Sequence, residues 1–276
     1  MSGSVFQSHS IEDIAGLVGC FFLIKRGWGS TSRVLSLILF TFCMVFLFSM
    51  SGVFHLLSEG EAARGVLQRL DHAGIWLMIA GTFTPIHVIL FRGPWRWGVL
   101  IPIWVFAIVG LIFQVIFFHD FPEWLVLLLF LIMGWMGLFT MFRFYRKFSD
   151  ESLNLMVYGA LLYSFGAIVD FADWPVLIIG VLGPHEIFHL TIVLAASLFW
   201  YFIYKWSGHP VKDKLYFHVH VYPDGEHVAK EYFEKLAVRA PSREALRQQI
   251  RESVKERYHV SYNPQIKLTY SDVEYL

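Results

Sequence analysis

The sequence has little charge. Only 16% of its 276 residues are Asp, Glu, Lys or Arg, whereas 56% are hydrophobic, and the formal net charge is zero. A soluble domain carries about 25% charged residues, so this composition predicts an integral membrane protein surrounded by membrane lipids. The neutral balance argues against a nucleic-acid partner, because neutralising a phosphate backbone takes a surplus of Lys and Arg.

Cysteine is also scarce. The chain has only Cys20 and Cys43, both within apolar runs and without CxxC spacing. This pattern predicts neither a disulfide framework nor a thiolate zinc site. No Lys or Arg precedes Lys25, so the basic start of a cleavable signal peptide is missing, and we expect the first helix to be retained.

Long apolar runs are what the sequence does have. A helix needs about 20 apolar residues to cross a bilayer core of roughly 30 Å. The run at 14–24 is too short to span alone, although Lys25 and Arg26 could extend it by snorkelling. Six spans with a re-entrant or interfacial start are therefore the alternative to seven. The predicted fold is an all-α membrane protein, a seven-transmembrane helix bundle with a small C-terminal α+β domain. The predicted helices span about 11–26, 34–57, 66–91, 96–118, 123–142, 152–170 and 184–206.

Lys and Arg are distributed unevenly between the two sides of this predicted bundle. Short loops on the cytoplasmic side of membrane proteins are enriched in them. The loops after the second, fourth and sixth helices carry only Arg64 and Arg69, whereas Lys205, Lys212 and Lys214 near the end of the last helix lie on the richer side. The bias therefore places the C-terminal tail in the cytoplasm. The loops of the richer side carry Lys25, Arg26, Arg33, Arg92, Arg96, Arg143, Arg146 and Lys147.

After Trp206 the sequence becomes charged and soluble in character, which divides the chain into a transmembrane bundle, 1–206, and a tail domain, 207–276. Apolar and polar residues alternate from 214 to 222, as in a half-buried strand. The pattern names no ligand, and we expect an interaction module with a protein partner. The predicted ββαβ elements are strands at about 214–222 and 226–238, a helix at 243–257 and a strand at 265–270.

Two short stretches place histidines inside the predicted membrane helices, Ser51-Gly-Val-Phe-His55 and His185-Glu-Ile-Phe-His189. Residues four apart lie on one face of a helix, so each stretch directs two polar side chains to the same side. Counting membrane passes brings the end of the second helix and the starts of the third and seventh to one depth, and Asp71 lies at the start of the third. Three imidazoles leave a fourth tetrahedral position open, as in catalytic zinc sites.

Other polar residues have simpler interpretations. A lone membrane histidine is more often hydrogen-bonded across helices. Asp170 and Asp173 are explained by a helix that ends in an interfacial loop. His218 and His220 alternate on one face of a soluble strand, which predicts a solvated surface rather than a metal site. The histidines predicted to be hydrogen-bonded across helices are His72, His87 and His119.

A set of motifs from about residue 30 to 206 resembles the haemolysin III branch of the progestin and adipoQ receptor family. A wider superfamily that includes alkaline ceramidases shares the same Ser, Asp and three-histidine set. The order, spacing and helix placement of every motif agree with this family. The motifs are Ser51-x-x-x-His55, Leu70-Asp71-x-x-Gly74-Ile75, Ala80-Gly81-Thr82-Phe83-Thr84-Pro85, Arg92-Gly93-Pro94-Trp95, Gly134-Trp135 and His185-Glu-Ile-Phe-His189.

The resemblance implies a seven-helix bundle with a buried zinc. His55, His185 and His189 would bind the zinc, Asp71 would reach it through water, and Ser51 would lie beside that water. Zinc lowers the pKa of bound water to about 7, and a carboxylate outside the ligand set can accept and return the proton. The resemblance thus implies a zinc-dependent hydrolase of lipid amide or ester bonds, with Asp71 and Ser51 as catalytic residues.

Two other functions remain open at this point. Zinc could be structural in a membrane receptor or scaffold whose tail signals to a partner. Pore-forming lysis is suggested by the branch name alone, and no amphipathic segment is available to line a pore.

The chain also departs from the family pattern. The family carries a polar, histidine-containing motif at its first helix, where this chain has only residues 8–13, and the tail lies outside the resemblance. In adiponectin receptors the C-terminus lies outside the cell, opposite to the expectation from Lys and Arg here. Haemolysin III sequences of this compact kind imply a bacterial inner membrane.

Overall fold

The computed structural model describes residues 16, 18–58, 62–118, 120–178, 181–209, 214–231, 236–257 and 264–272. Helices make up the first part of the chain, and a four-stranded sheet with one helix makes up the tail. The helices before the tail are α1 (18–27), α2 (Thr31–Leu56), α3 (Ala62–Leu90), α4 (Pro94–Ile116), α5 (Glu123–Trp135), α6 (Gly137–Phe148), α7 (Leu153–Phe171) and α8 (Pro184–Trp206).

Six helical segments of the described chain are long and apolar enough to cross a membrane, with α5 and α6 joined in one of them at Met136. The predicted fifth helix stopped too early, because α6 continues to Phe148 by burying Phe144 and Phe148 while its charged residues lie on the other side. The helix α1 is shorter than a span, and 11–15 lie outside the described residues. The count of seven membrane helices is therefore not confirmed.

Glycines bring α2 and α3 into close contact. A Cβ on Gly81 would lie 2.7 Å from the Cβ of Cys43, and a Cβ on Gly74 would lie 3.1 Å from the Cα of Leu47. Only hydrogen at these positions allows the backbones to approach this closely, as is common between membrane helices. The contacts run in opposite directions along the two helices, so α2 and α3 are antiparallel.

The pair α7 and α8 packs in the same way. A Cβ on Gly159 would lie 2.7 Å from the ring of Phe199, and a Cβ on Gly166 would overlap the Thr191 hydroxyl. This pair is also antiparallel. The end of α7 consequently lies beside the start of α8, where the predicted histidine pair is found.

Large apolar side chains cover the outside of the bundle. On α4, Ile101, Val105, Ile108 and Ile112 follow one another at helical spacing and are all exposed. A continuous apolar surface of this kind is unstable in water and is expected where a helix faces lipid. The composition, the six spans and this surface agree that the protein is an integral, multi-pass membrane protein.

Arg33 is fully buried at the start of α2, where it is the third residue of the helix. Its Nε donates to the Gly27 carbonyl at 2.7 Å, and its other nitrogens donate to the carbonyls of Trp28 at 2.9 Å and His209 at 2.8 Å. A buried guanidinium is tolerated only when its donors are paired in this way. The residue joins the α1–α2 connection to the segment that leaves α8 for the tail.

The tail has one more strand than the predicted ββαβ order. The region predicted as a single strand at 226–238 forms two strands, β2 and β3, that pair with each other antiparallel. A strand of that length would exceed the usual 5–6 residues, and pairing its halves extends the sheet instead. The sheet order is β3-β2-β1-β4, with β1 and β4 parallel. The tail elements are β1 (Lys214–Val221), β2 (His227–Glu231), β3 (Leu236–Ala240), α9 (Arg243–Arg257) and β4 (Gln265–Asp272).

One face of this sheet packs on α9. Leu246, Ile250 and Val254 of α9 are buried against Phe217 and Val219 of β1. These residues fit the predicted alternation in β1 and the predicted helix face. The tail therefore has a hydrophobic core of its own.

Candidate metal site

Three histidines from two helices meet at one end of the bundle. The Nε2 atoms of His185 and His189 lie 2.9 Å apart, and each lies 3.2 Å from Nε2 of His55. The cluster is a group of ligand atoms that could hold a metal ion. The structure thus brings together the three histidines that the sequence analysis selected.

The helices explain why these imidazoles converge. His185 and His189 lie one turn apart in the first two turns of α8, and His55 lies in the last turn of α2. His55 comes from a part of the chain 130 residues away from His185. The cluster therefore depends on the packing of the bundle, since no local segment supplies all three side chains.

Asp170 approaches the cluster from α7. Its Oδ1 accepts a hydrogen bond from Nδ1 of His185 at 3.0 Å. From the sequence, Asp170 is explained as the end of a helix, and no pattern connects it with a histidine. The contact could have been predicted from the antiparallel order of α7 and α8, because this order places the last turn of α7 beside the first turn of α8.

Ser51 lies one turn before His55 on α2 and is buried. Its Oγ has no hydrogen-bond partner among the described residues. A buried hydroxyl without a partner is costly and calls for an explanation, such as a water or an ion beside it. Ser51 and His55 lie on the same side of α2, so the Ser51 hydroxyl lies about one helical turn from the cluster.

Asp71 comes from α3. The contacts of Gly81 with Cys43 and of Gly74 with Leu47 fix the antiparallel packing of α2 and α3, and about one further turn leads from Leu47 to Ser51 and from Gly74 to Asp71. The Asp71 carboxylate is close enough to His185 to interact with it electrostatically. The predicted residues of the site therefore lie at one end of the bundle.

Glu186 stands between the two histidines of α8, which gives the stretch an H-E-x-x-H pattern. On zinc peptidase helices the glutamate of this pattern serves as a general base. Here the Glu186 carboxylate accepts a hydrogen bond from the backbone N–H of Gly183 at 3.0 Å. It satisfies one of the free N–H groups at the start of α8 and therefore caps that helix.

The remaining histidines differ from the cluster. His87 donates from Nδ1 to the Trp95 carbonyl at 2.8 Å, and its Nε2 bonds the Thr140 hydroxyl at 2.8 Å, which confirms the predicted hydrogen bonding across helices.

His72 bonds the Gln68 carbonyl within its own helix, not across helices. His119 and the motif at 8–13 lie outside the described residues. His218 and His220 lie on the face of β1 turned away from α9.

Comparison with known proteins gives a consistent result. The family described as haemolysin-III related matches residues 6–201. A protein named Hemolysin-3 from Bacillus cereus is 32% identical over 196 residues, which cover 70% of this chain and 86% of that protein. A Hemolysin-3 homolog from Bacillus subtilis (strain 168) is 28% identical over 163 residues, which cover 58% and 76%. No solved structure matches the chain significantly.

Proposed function

This chain belongs to the haemolysin III-related family, and from that premise we propose that it is a zinc-dependent hydrolase of lipid amide or ester bonds in the membrane. The observation that carries the proposal is the convergence of the Nε2 atoms of His55, His185 and His189. Three imidazoles with an open fourth position form the ligand set of several catalytic zinc sites.

The residues fit a zinc ion. Tetrahedral Zn–N bonds of 2.0–2.1 Å would separate the nitrogens by about 3.3 Å, close to the 2.9–3.2 Å found here. Three imidazole nitrogens this close cannot all hydrogen-bond one another, and lone pairs on them would bind a cation placed between them. The unpartnered Oγ of Ser51 is a second sign that a polar group belongs beside the cluster.

When bound, a zinc ion polarises a carbonyl group and makes water a nucleophile near neutral pH. Asp71 accepts the proton from the attacking water and returns it to the leaving nitrogen or oxygen. Ser51 donates its hydroxyl hydrogen to the carbonyl oxygen as negative charge develops there. Asp71 suits the proton transfer better than ligation, because a fourth protein ligand would close the position that the substrate needs.

The place of the site supports a lipid substrate. The cluster lies at the end of α2 and the start of α8, and both helices are long and apolar enough to cross a membrane. A lipid can reach this site from within the bilayer without leaving it. With the tail in the cytoplasm of a bacterium, as the Lys and Arg distribution favours, the site opens towards the outer side of the inner membrane.

The test is to separate zinc binding from turnover. Purified protein should retain about one zinc, and Asp71→Ala should keep that zinc while losing hydrolysis of a fluorescent N-acyl lipid amide and of a lipid ester. Asp173→Asn is the control, because it removes a carboxylate from the same end of the bundle at a backbone φ of +49°, which asparagine tolerates. Undiminished hydrolysis by Asp71→Ala, or by protein stripped of zinc, would contradict the proposal.

A structural role for the zinc is the second candidate. The observation that favours it is that the cluster joins α2 to α8, so the ion would hold two distant helices together. In that case the protein is a receptor or scaffold, and its tail engages a protein partner. Unfolding of His185→Ala near the temperature at which zinc-free wild type unfolds, together with a silent Asp71→Ala in lipid assays, would favour this function.

A further inference from the structure

The carboxylate of Asp170 is held against the outer nitrogen of one cluster histidine. Asp170 lies in the last turn of α7, and its Oδ1 is 3.0 Å from Nδ1 of His185. The contact follows from the helix packing, because Gly166 lies against Thr191, Asp170 follows about one turn later on α7, and His185 precedes Thr191 by nearly two turns on α8. Among the described residues, no lysine or arginine forms an ion pair with Asp170.

The hydrogen bond decides where the proton of His185 is. An ionised carboxylate can only accept a hydrogen bond, so Nδ1 of His185 must carry the hydrogen. In a neutral imidazole the other nitrogen, Nε2, then has a lone pair. That nitrogen is the one that lies 2.9 Å from Nε2 of His189 and 3.2 Å from Nε2 of His55.

We infer that Asp170 is a positioning residue for the metal site: it fixes the tautomer and the ring orientation in which His185 presents Nε2 to the ion. The inference rests on the proposed function, because it requires that the cluster binds zinc. A carboxylate behind a ligating imidazole also makes that nitrogen a stronger ligand. It places negative charge close to a divalent cation that is otherwise held by three neutral groups.

The experiment measures zinc affinity by competition with a chelator. Asp170→Asn keeps the size of the side chain but removes its charge, and its amide can also donate to Nδ1 and so favour the wrong tautomer. Loss of such a partner typically lowers metal affinity about 10–100-fold, and we expect that range. Asp173→Asn is the matched control, since its backbone has a φ of +49°, which asparagine tolerates. The control should bind zinc as the wild type does.

Thermal unfolding separates positioning from support of the fold. Without zinc, Asp170→Asn and wild type should unfold at the same temperature, and only the increase caused by zinc should be smaller in the variant. The visible absorption of Co²⁺-loaded protein should also change in Asp170→Asn, because the ligand field of His185 changes.

Each other result overturns the inference in a recognisable way. Equal zinc affinity in Asp170→Asn and Asp173→Asn removes the role of Asp170 and leaves the zinc site intact. Equal destabilisation with and without zinc makes Asp170 a structural residue. Wild-type protein that holds no zinc overturns the proposed function itself.

Discussion

His87 and the three histidines of the cluster lie in the same bundle, but their ring nitrogens have different neighbours. His87 is buried inside the bundle, and its two ring nitrogens bond the Trp95 carbonyl and the Thr140 hydroxyl. In the cluster the Nε2 atoms of His55, His185 and His189 face one another instead. Both groups are imidazoles in apolar helices, so composition and hydropathy do not distinguish them.

The difference separates a histidine that is hydrogen-bonded within the bundle from histidines that could hold a metal ion. A histidine whose two nitrogens are satisfied by protein groups has no lone pair left for an ion, as is true of neutral His87. Three nitrogens that converge within 3.2 Å cannot all be satisfied by one another, because each pair needs its own hydrogen. Such an arrangement is stable when a cation lies between them.

The largest expected effect comes from removing a cluster histidine. His185→Ala should lower zinc affinity by more than the roughly 100-fold that an outer partner can cost, because one of three ligands is lost. Metal analysis of the purified variant measures this directly. Zinc retained at the wild-type level would contradict this prediction, since His185 would then behave as His87 does.

A smaller effect is expected from His87→Ala. It should leave zinc content unchanged and lower the free energy of unfolding by about 1–3 kcal/mol, because the buried Thr140 hydroxyl and the partly buried Trp95 carbonyl lose their partner. Metal analysis and unfolding in detergent check the two parts separately. Loss of zinc from a folded His87→Ala protein would show that the two groups are not independent.

The smallest effect is expected from Glu186→Gln. Glutamine can still accept the hydrogen bond from Gly183 N–H, so the cap of α8 should persist. Because Glu186 only caps the helix, zinc content and lipid turnover should stay within about twofold of the wild-type values. Turnover as low as in Asp71→Ala would make Glu186 the proton acceptor and would assign the catalytic carboxylate to α8.

The sequence was sufficient for the parts of the site that follow from helix periodicity and membrane passes. Spacing of four residues placed His185 beside His189, and counting passes brought His55 and Asp71 to the same end. It was not sufficient for Asp170, because its contact with His185 depends on how closely α7 and α8 pack at Gly166. The distance between α7 and α8 depends on the side chains of both helices, so it does not follow from the periodicity of either one.

The fold shows the same limit. Helix boundaries agree with the apolar runs to within a few residues for most spans, but α6 extends to Phe148 because one of its sides is buried. The predicted strand at 226–238 contains two strands because pairing within the sheet determines where a strand ends. Neither the buried side of α6 nor strand pairing can be read from hydropathy alone.

The proposed function requires that His55, His185 and His189 bind one zinc ion. X-ray absorption at the zinc edge of protein purified without added metal tests it most directly. We expect about one zinc per chain with three nitrogen ligands at roughly 2.0–2.1 Å, and loss of this signal in His189→Ala. A zinc bound by sulfur or by oxygen alone, or an unchanged signal in His189→Ala, would contradict it.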